Sequence, residues 1–300
     1  MQLDLFTHCA DVGLRNAVIA ALCARDAGAM REAIDRLRDD FPGDDDLDNF
    51  EYLFSEFSAL GQPDRSAPAL LQQVERIESR LLPSLKKMIG SEAARRWAEP
   101  LYGELARTAR GQAFVRNRAN AHAAGLFLRA GELASARVAV AEIPSWRRIP
   151  EPLAWMTEIA LREAVPDEYW PLVAELAWIA PTQLATLLTD SFPSAAPTRL
   201  PRLYKEFFAA VETDGENDET VWFPAWLLVE YPDLLPFLRA AQPPDSRPAR
   251  SAALLVDLLL GERLGGLAPA TVNKRQQLRA LAPAIFERYM ARRRSAPDSR

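Results

Sequence analysis

The sequence predicts an all-α protein whose helical hairpins stack as an α-solenoid or a right-handed helical array. Apolar residues recur at three- and four-residue spacing along most of the 300 residues, and alanine, leucine, arginine and glutamate, which favour helices, are abundant. No stretch alternates convincingly between apolar and polar residues, as a half-buried strand would. Prolines and glycines interrupt the helical pattern about every 15 to 25 residues, which predicts roughly fifteen helices.

Two stretches, residues 21–37 and 124–140, share one helical-hairpin pattern. In both, a small and a larger apolar residue close a first helix, a glycine makes the turn, and an alanine lets the second helix approach closely. The positions are Ala21, Ala24, Gly28, Met30, Ala33 and Leu37 in the first stretch, and Ala124, Phe127, Gly131, Leu133, Ala136 and Val140 in the second.

This pattern resembles the tetratricopeptide repeat, whose consensus carries small, aromatic, glycine, aromatic, alanine and phenylalanine residues at these offsets. The tryptophan of that repeat has no counterpart here, and its late proline is displaced to Pro42 and Pro144. The resemblance implies stacked helix pairs that offer a surface to a partner, and it implies no particular chemistry.

The sequence is predicted to contain three helical regions. Apolar stripes predict three helices in an N-terminal region, residues 1–61. A central region, residues 62–242, opens with a long helix over residues 69–89 that Pro83 kinks, followed by one in which Pro100 is a kink or a break. Residues 243–300 form a C-terminal helical group with a basic end. The three regions are predicted either as separate units or as one continuous domain.

Prolines in the second half mark predicted helix starts. Pro166, followed by Asp167 and Glu168, is typical of a first turn, where a proline loses no needed hydrogen bond and acids complement the helix dipole. Apolar residues surround the helix over residues 172–179, which predicts that it is buried. Four further starts are predicted at Pro181, Pro201, Pro232 and Pro269.

The composition bounds the class of protein. The net charge of -5 and the pI near 5.3 argue against bulk nucleic-acid binding, which needs a basic face. The two cysteines, Cys9 and Cys23, form no disulfide framework and are expected to be reduced. No cationic leader opens residues 1–13, and the longest apolar run, residues 17–24, is far too short for a membrane span. We therefore expect a cytoplasmic protein.

The acidic cluster at residues 44–48, DDDLD, is the sharpest hint of chemistry. Asp44, Asp45 and Asp48 match the DDxxD spacing of class I prenyl-diphosphate enzymes, and this resemblance implies Mg²⁺ ions that hold a substrate diphosphate. The cluster follows a loop and precedes a helix, so the favoured interpretation is a solvated helix start whose acids complement the dipole. A calcium loop does not fit, because the required glycine and terminal glutamate are absent.

The histidines and tryptophans offer weaker candidates. His8 and His122 lack zinc-ligand spacing, and a nucleophilic pair with a cysteine is less favoured than ordinary surface or core positions. Five tryptophans lie between residues 150 and 230. Trp222 and Trp226, one helical turn apart, could anchor a partner, although aromatic residues at helical spacing more often belong to a core.

The C-terminal segment from residue 272 to 294 carries seven basic residues against one acid. Its arginines Arg288, Arg292 and Arg293 are candidates for contact with an acidic partner, nucleic acid or a second copy of the chain. The favoured alternative is a solvated final helix whose basic last turns complement the dipole.

These features predict a scaffold or adaptor that binds another protein in a groove formed by successive first helices. No cofactor, metal site or catalytic residue is predicted, and a homo-oligomer is compatible with the sequence. Two alternatives stay open: an all-α enzyme that uses Mg²⁺ at the acidic cluster on a diphosphate substrate, and a nucleic-acid-associated protein that uses the C-terminal arginines. The 32 arginines against 4 lysines indicate a GC-rich coding genome and favour a bacterial source.

Overall fold

The computed structural model describes residues 7–59, 66–189, 199–210, 219–263 and 269–295. Within these ranges the regular structure is helical throughout, with seventeen α-helices and no strand, so the all-α prediction is confirmed. The chain divides into two compact units, Met1–Ala139 and Val140–Arg300. This division into two units does not test the predicted division into three regions, which remains a prediction. No helix in the described ranges is both long enough and apolar enough to cross a bilayer.

The first unit contains α1 to α7 and most of α8. Their bounds are α1 Thr7–Ala24, α2 Ala27–Asp40, α3 Leu47–Ser58, α4 Ala67–Arg76, α5 Leu82–Ile89, α6 Ser91–Ala109, α7 Ala123–Arg129 and α8 Leu133–Ala141. A π-helical segment, Ile77–Leu81, joins α4 to α5, and a 3₁₀ segment, Arg116–Ala121, precedes α7.

The long helix predicted over residues 69–89 is continuous, and Pro83 is accommodated by the π-helical segment before it. The N–H of Leu82 donates to the carbonyl of Ile77, five residues earlier instead of four. A proline ring normally collides with the carbonyl four residues before it, and a π turn relieves this conflict by widening the ladder. Pro100 likewise lies inside α6, which does not break there.

Trp97 on α6 holds the turn between α1 and α2 in the first unit. Its indole Nε1 donates to the carbonyl of Leu22 at 2.6 Å, and the Arg25 guanidinium lies 4.7 Å from the centre of its ring. Arg25 also donates to the carbonyl of Trp97, and Phe57 on α3 packs edge-on at 5.7 Å. The first hairpin is therefore joined to α6 by polar and aromatic contacts together.

Three helix ends in the described part of the chain close with the same turn. In each, a residue with left-handed φ follows the helix; its N–H donates to the carbonyl three residues earlier, and the next N–H donates to the carbonyl five residues earlier, at 2.9 to 3.4 Å. This arrangement is the Schellman motif. The left-handed residues are Arg25 with φ 58°, Gly131 with φ 74° and Ala164 with φ 55°.

Of the two glycines that the hairpin pattern aligns, one makes the predicted turn and the other does not. Gly131 makes the predicted turn between α7 and α8, whereas Gly28 lies in the first turn of α2 and Arg25 makes the turn before it. A left-handed arginine is uncommon because of its Cβ. Here the contacts of Arg25 with Trp97 offset that cost, and Asp26 caps α2 through its carboxylate.

The two alanines of the hairpin pattern are buried, as the pattern predicts. Ala136 is fully buried and Ala33 is 8% exposed. We expect Ala136→Leu and Ala33→Leu each to lower the free energy of unfolding by about 1–3 kcal/mol through overpacking. The matched variants Ala134→Leu and Ala29→Leu, at exposed positions on the same helices, should melt like the wild type. Equal melting temperatures for buried and exposed variants would contradict the packing argument.

The second unit contains the end of α8 and nine further helices. Their bounds are α9 Pro150–Arg162, α10 Pro166–Ile179, α11 Pro181–Thr189, α12 Leu200–Ala210, α13 Phe223–Glu230, α14 Leu235–Leu238, α15 Arg247–Arg263, α16 Pro269–Leu281 and α17 Pro283–Ser295. The predicted starts at Pro166 and Pro181 are confirmed, Pro269 is the first described residue of α16, Pro201 is the second residue of α12, and Pro232 opens a 3₁₀ turn.

Helix α10 lies at the centre of the second unit. It contacts α9, α11, α13 and α14. Every residue from Tyr169 to Ala177 is buried, which confirms the predicted enclosure over residues 172–177, whereas Trp178 and Ile179 are partly exposed. One of these residues is Glu175, a charged side chain that needs a partner at this depth.

Candidate partner-binding site

The acidic cluster lies at a helix start, as predicted, but Asp44 is not solvated. Its side chain is 1% exposed, and its Oδ2 accepts from Nε of Arg15 on α1 at 2.7 Å. Its other oxygen accepts from the N–H of Asp46 at 2.9 Å and so orders the turn that leads into α3. The prediction of a wholly solvated turn was wrong because Arg15, distant in sequence, covers this carboxylate.

The acids of the cluster are therefore unequal. Asp45 and Asp48 are exposed, whereas Asp44 is engaged with Arg15 and the backbone. Among the described residues, no group of three or more His, Cys, Asp or Glu side chains is placed to hold a metal ion.

Asp44→Ala should lower the free energy of unfolding by about 1–3 kcal/mol, because it removes a charge-assisted hydrogen bond and a turn contact together. The neighbouring Asp45→Ala serves as the control, since Asp45 is exposed and should tolerate the change. Urea denaturation of the two variants is the measurement. Equal stability of the two variants would show that the contacts of Asp44 with Arg15 and with the turn do not stabilise the fold.

The C-terminal arginines predicted to bind a partner are paired within the second unit. Arg288 and Arg292 each lie 3.3 Å from the Glu230 carboxylate on α13, and Arg293 lies 3.1 Å from that of Glu262 on α15. Arg288 also donates to the carbonyl of Ala210 at 2.8 Å. These contacts attach α17 to its neighbours, and their role in partner binding stays a prediction.

The tryptophan pair separates into a core residue and a partly exposed one. Trp226 is 3% exposed and packs among Phe207, Phe223 and Tyr231, with ring centres 5.6 to 6.2 Å away. Trp222 is half-buried, with the guanidinium of Arg247 at 5.8 Å from its ring. The core interpretation fits Trp226, and only Trp222 retains surface that a partner could contact.

His122 has a structural contact: its Nδ1 accepts from the N–H of Ala124 and caps α7 at 3.2 Å. Its ring also meets Phe114 edge-on at 5.7 Å. Cys23 is an exposed free thiol. The side chains of His8 and Cys9 lie outside the described residues.

The connection between α6 and α7 is a site that the sequence patterns above did not single out. Five arginines occur from residue 107 to 129 without one acid between them. Arg107 pairs with Glu132 at 2.9 Å and Arg129 with Glu78 at 3.2 Å. The other three, Arg110, Arg116 and Arg118, are exposed and form no ion pair with the described residues. We call residues 110–122 the basic loop.

An open cavity of about 340 Å³ lies against the basic loop. Its walls combine one guanidinium, an amide, an imidazole and small apolar side chains. The lining residues are Gln112, Ala113, Val115, Arg118, Ala121 and His122.

Several contacts hold the basic loop in place. Ala119 and Ala121 are buried, Arg110 lies over the ring of Phe127 at 5.5 Å, and Phe114 packs on His122. The loop therefore presents its arginines from an anchored backbone. Guanidinium groups recognise planar carboxylates or phosphates through paired N–H donors, so this surface suits an anionic ligand.

Comparisons with protein-family models, with curated proteins and with solved structures each give no match to this chain.

Proposed function

We propose that the protein is a helical scaffold or adaptor, and that its basic loop binds an acidic segment of a partner protein. The observation that carries the proposal is the set of three exposed arginines, Arg110, Arg116 and Arg118, which have no carboxylate partner among the described residues; Arg118 also lines the open cavity. In an acidic chain, three exposed guanidiniums on one loop, unpaired among the described residues, form a local positive field that attracts carboxylates.

The cavity favours a peptide over a polyanion. Val115, Ala113 and Ala121 supply apolar walls for one side chain, and Arg118 stands beside them to pair with a neighbouring carboxylate. A nucleic acid binds by neutralising many phosphates along an extended basic face. Three arginines on a chain of net charge -5 form a short basic surface. Such a surface suits an acidic, partly apolar peptide better than a nucleic acid.

The architecture proposed with this function is a stack of tetratricopeptide-like helical hairpins in an α-solenoid. It is supported by the repeated Schellman turn at Arg25, Gly131 and Ala164, which ends α1, α7 and α9 in the same way. Such stacks present connecting loops and first helices to partners. A reducing, cytoplasmic location is proposed with it, on the free thiol of Cys23.

The proposal is tested by fluorescence anisotropy with a labelled peptide of mixed glutamate and leucine and with its glutamine counterpart. We expect the acidic peptide to bind, its affinity to fall with added salt, and the double variant Arg116→Gln/Arg118→Gln to weaken it at least tenfold. The control is Arg36→Gln, an exposed arginine elsewhere in the first unit, which should change affinity less than twofold.

Two outcomes would overturn the proposal. One is equal affinity of the wild type and the double variant for the acidic peptide. The other is tighter binding of single-stranded nucleic acid than of the peptide, lost in the same variant, which would promote the nucleic-acid alternative.

A further inference from the structure

A second cavity, of about 190 Å³, lies within the second unit and is independent of the basic loop. It is bounded by α10, α13, α15 and the segment that follows α14. Its walls are mainly apolar, and the side chains that carry the argument are Ala174, Trp178, Leu228 and Val256. Two charged residues, Arg239 and Asp257, also line it.

The two charges are not equally available. Asp257 accepts from Nζ of Lys274 at 2.7 Å, so a cation already neutralises its carboxylate. Arg239 is exposed and has no ion pair among the residues that the structure describes. The uncompensated charge at this cavity is therefore positive, and it complements an anion.

The size of the cavity limits the ligand. A cavity of about 150 Å³ lined by apolar side chains holds a benzene molecule. At about 190 Å³, this cavity has room for one aromatic ring or one branched aliphatic group.

We propose that this cavity binds a compact apolar carboxylate, whose ring or alkyl body lies between Trp178 and Val256 and whose carboxylate pairs with Arg239. The positive charge and the apolar walls each match one part of such a molecule. Small-molecule sites have this general character, with apolar walls and a few polar groups that fix orientation.

Calorimetric titration with phenylacetate and with phenylacetamide tests the proposal, because the two probes share a shape and differ in charge. We expect saturable phenylacetate binding at millimolar concentration or below, and at least tenfold weaker binding of the amide. Arg239→Gln should reduce phenylacetate affinity at least tenfold and leave the amide unaffected. The control Arg250→Gln, an exposed arginine on α15, should match the wild type.

A second variant keeps the test independent of Arg239. Ala253→Phe fills the cavity from an exposed position on α15 and should abolish binding of both probes while the helical circular dichroism is unchanged. The proposal is overturned by no saturable phenylacetate binding to the wild type, by equal affinity for the two probes, or by full binding in the Ala253→Phe protein.

Discussion

Replacing Arg147 by methionine is expected to destabilise the protein by about 3–5 kcal/mol, because it leaves the buried carboxylate of Glu175 without its counter-ion. Glu175 is fully buried on α10, and both of its oxygens accept from the Arg147 guanidinium at 3.0 Å. The N–H of Gln242 donates to the same carboxylate at 2.8 Å. After the substitution, this backbone donor is the one hydrogen bond to Glu175 that remains among the described contacts.

The loss should depend on pH. Desolvation by burial raises the pKa of Glu175, while the N–H of Gln242 and the charge of Arg147 oppose that rise. Because the pKa in the folded state exceeds that in the unfolded state, the folded state binds more protons, and the contribution to stability falls as pH rises through the folded pKa. Without Arg147 that pKa rises further, so the penalty is small at acid pH and full at neutral pH.

Urea denaturation of Arg147→Met at about pH 4.5 and at pH 8 measures this difference, since the unfolded glutamate titrates near 4.3. The control is Arg148→Met, because Arg148 is exposed and donates to the carbonyl of Gln242 at 3.1 Å, with no hydrogen bond to Glu175 among the described contacts. It should cost less at both pH values. A pH-independent loss in Arg147→Met, or one below about 1 kcal/mol, would show that the buried pair is not important for stability.

Trp226→Ala is expected to cost about 3–5 kcal/mol, as for other large aromatic truncations in a core. The residue is 3% exposed, and its ring lies among Phe207, Phe223 and Tyr231. Its Nε1 is buried without an acceptor among the described residues. Trp226→Phe keeps most of the packing and removes that unpaired N–H, so it should cost less than about 1.5 kcal/mol.

Chemical denaturation of both variants, with Trp222→Ala beside them, separates a core role from a binding role. Trp222 is half-buried and should cost less than Trp226 when replaced by alanine. If Trp226→Ala left stability unchanged and weakened only partner binding, the assignment of this residue to the core would be wrong.

Local sequence patterns predicted the helices well, because the residues that start a helix or form its buried face lie within a few positions of one another. The proline starts at Pro166 and Pro181 follow from proline geometry, and the enclosed helix over Tyr169–Ala177 follows from apolar residues on every side. The acid-free arginine run from residue 107 was visible in the sequence, and charge counting along windows would have found it.

Contacts between distant segments explain the features that local sequence patterns did not predict. Arg25 adopts a left-handed turn because it meets Trp97, 72 positions later, and no local rule favours arginine over Gly28 for that turn. The Asp44 carboxylate is shielded from solvent because Arg15 covers it, and Glu175 depends on Arg147 and on the backbone of Gln242 for its hydrogen bonds. Each of these is a contact between distant segments, which residue spacing along one helix cannot reveal.

Charge reversal at the basic loop tests the central claim most directly. The double variant Arg116→Glu/Arg118→Glu is titrated with the glutamate–leucine peptide and with a lysine–leucine peptide of equal length, after circular dichroism confirms the helical fold. We predict that the variant loses the acidic peptide and gains affinity for the basic one, since the sign of the local field inverts. Unchanged binding of the acidic peptide by the charge-reversed protein would contradict the assignment of the basic loop as the partner-binding surface.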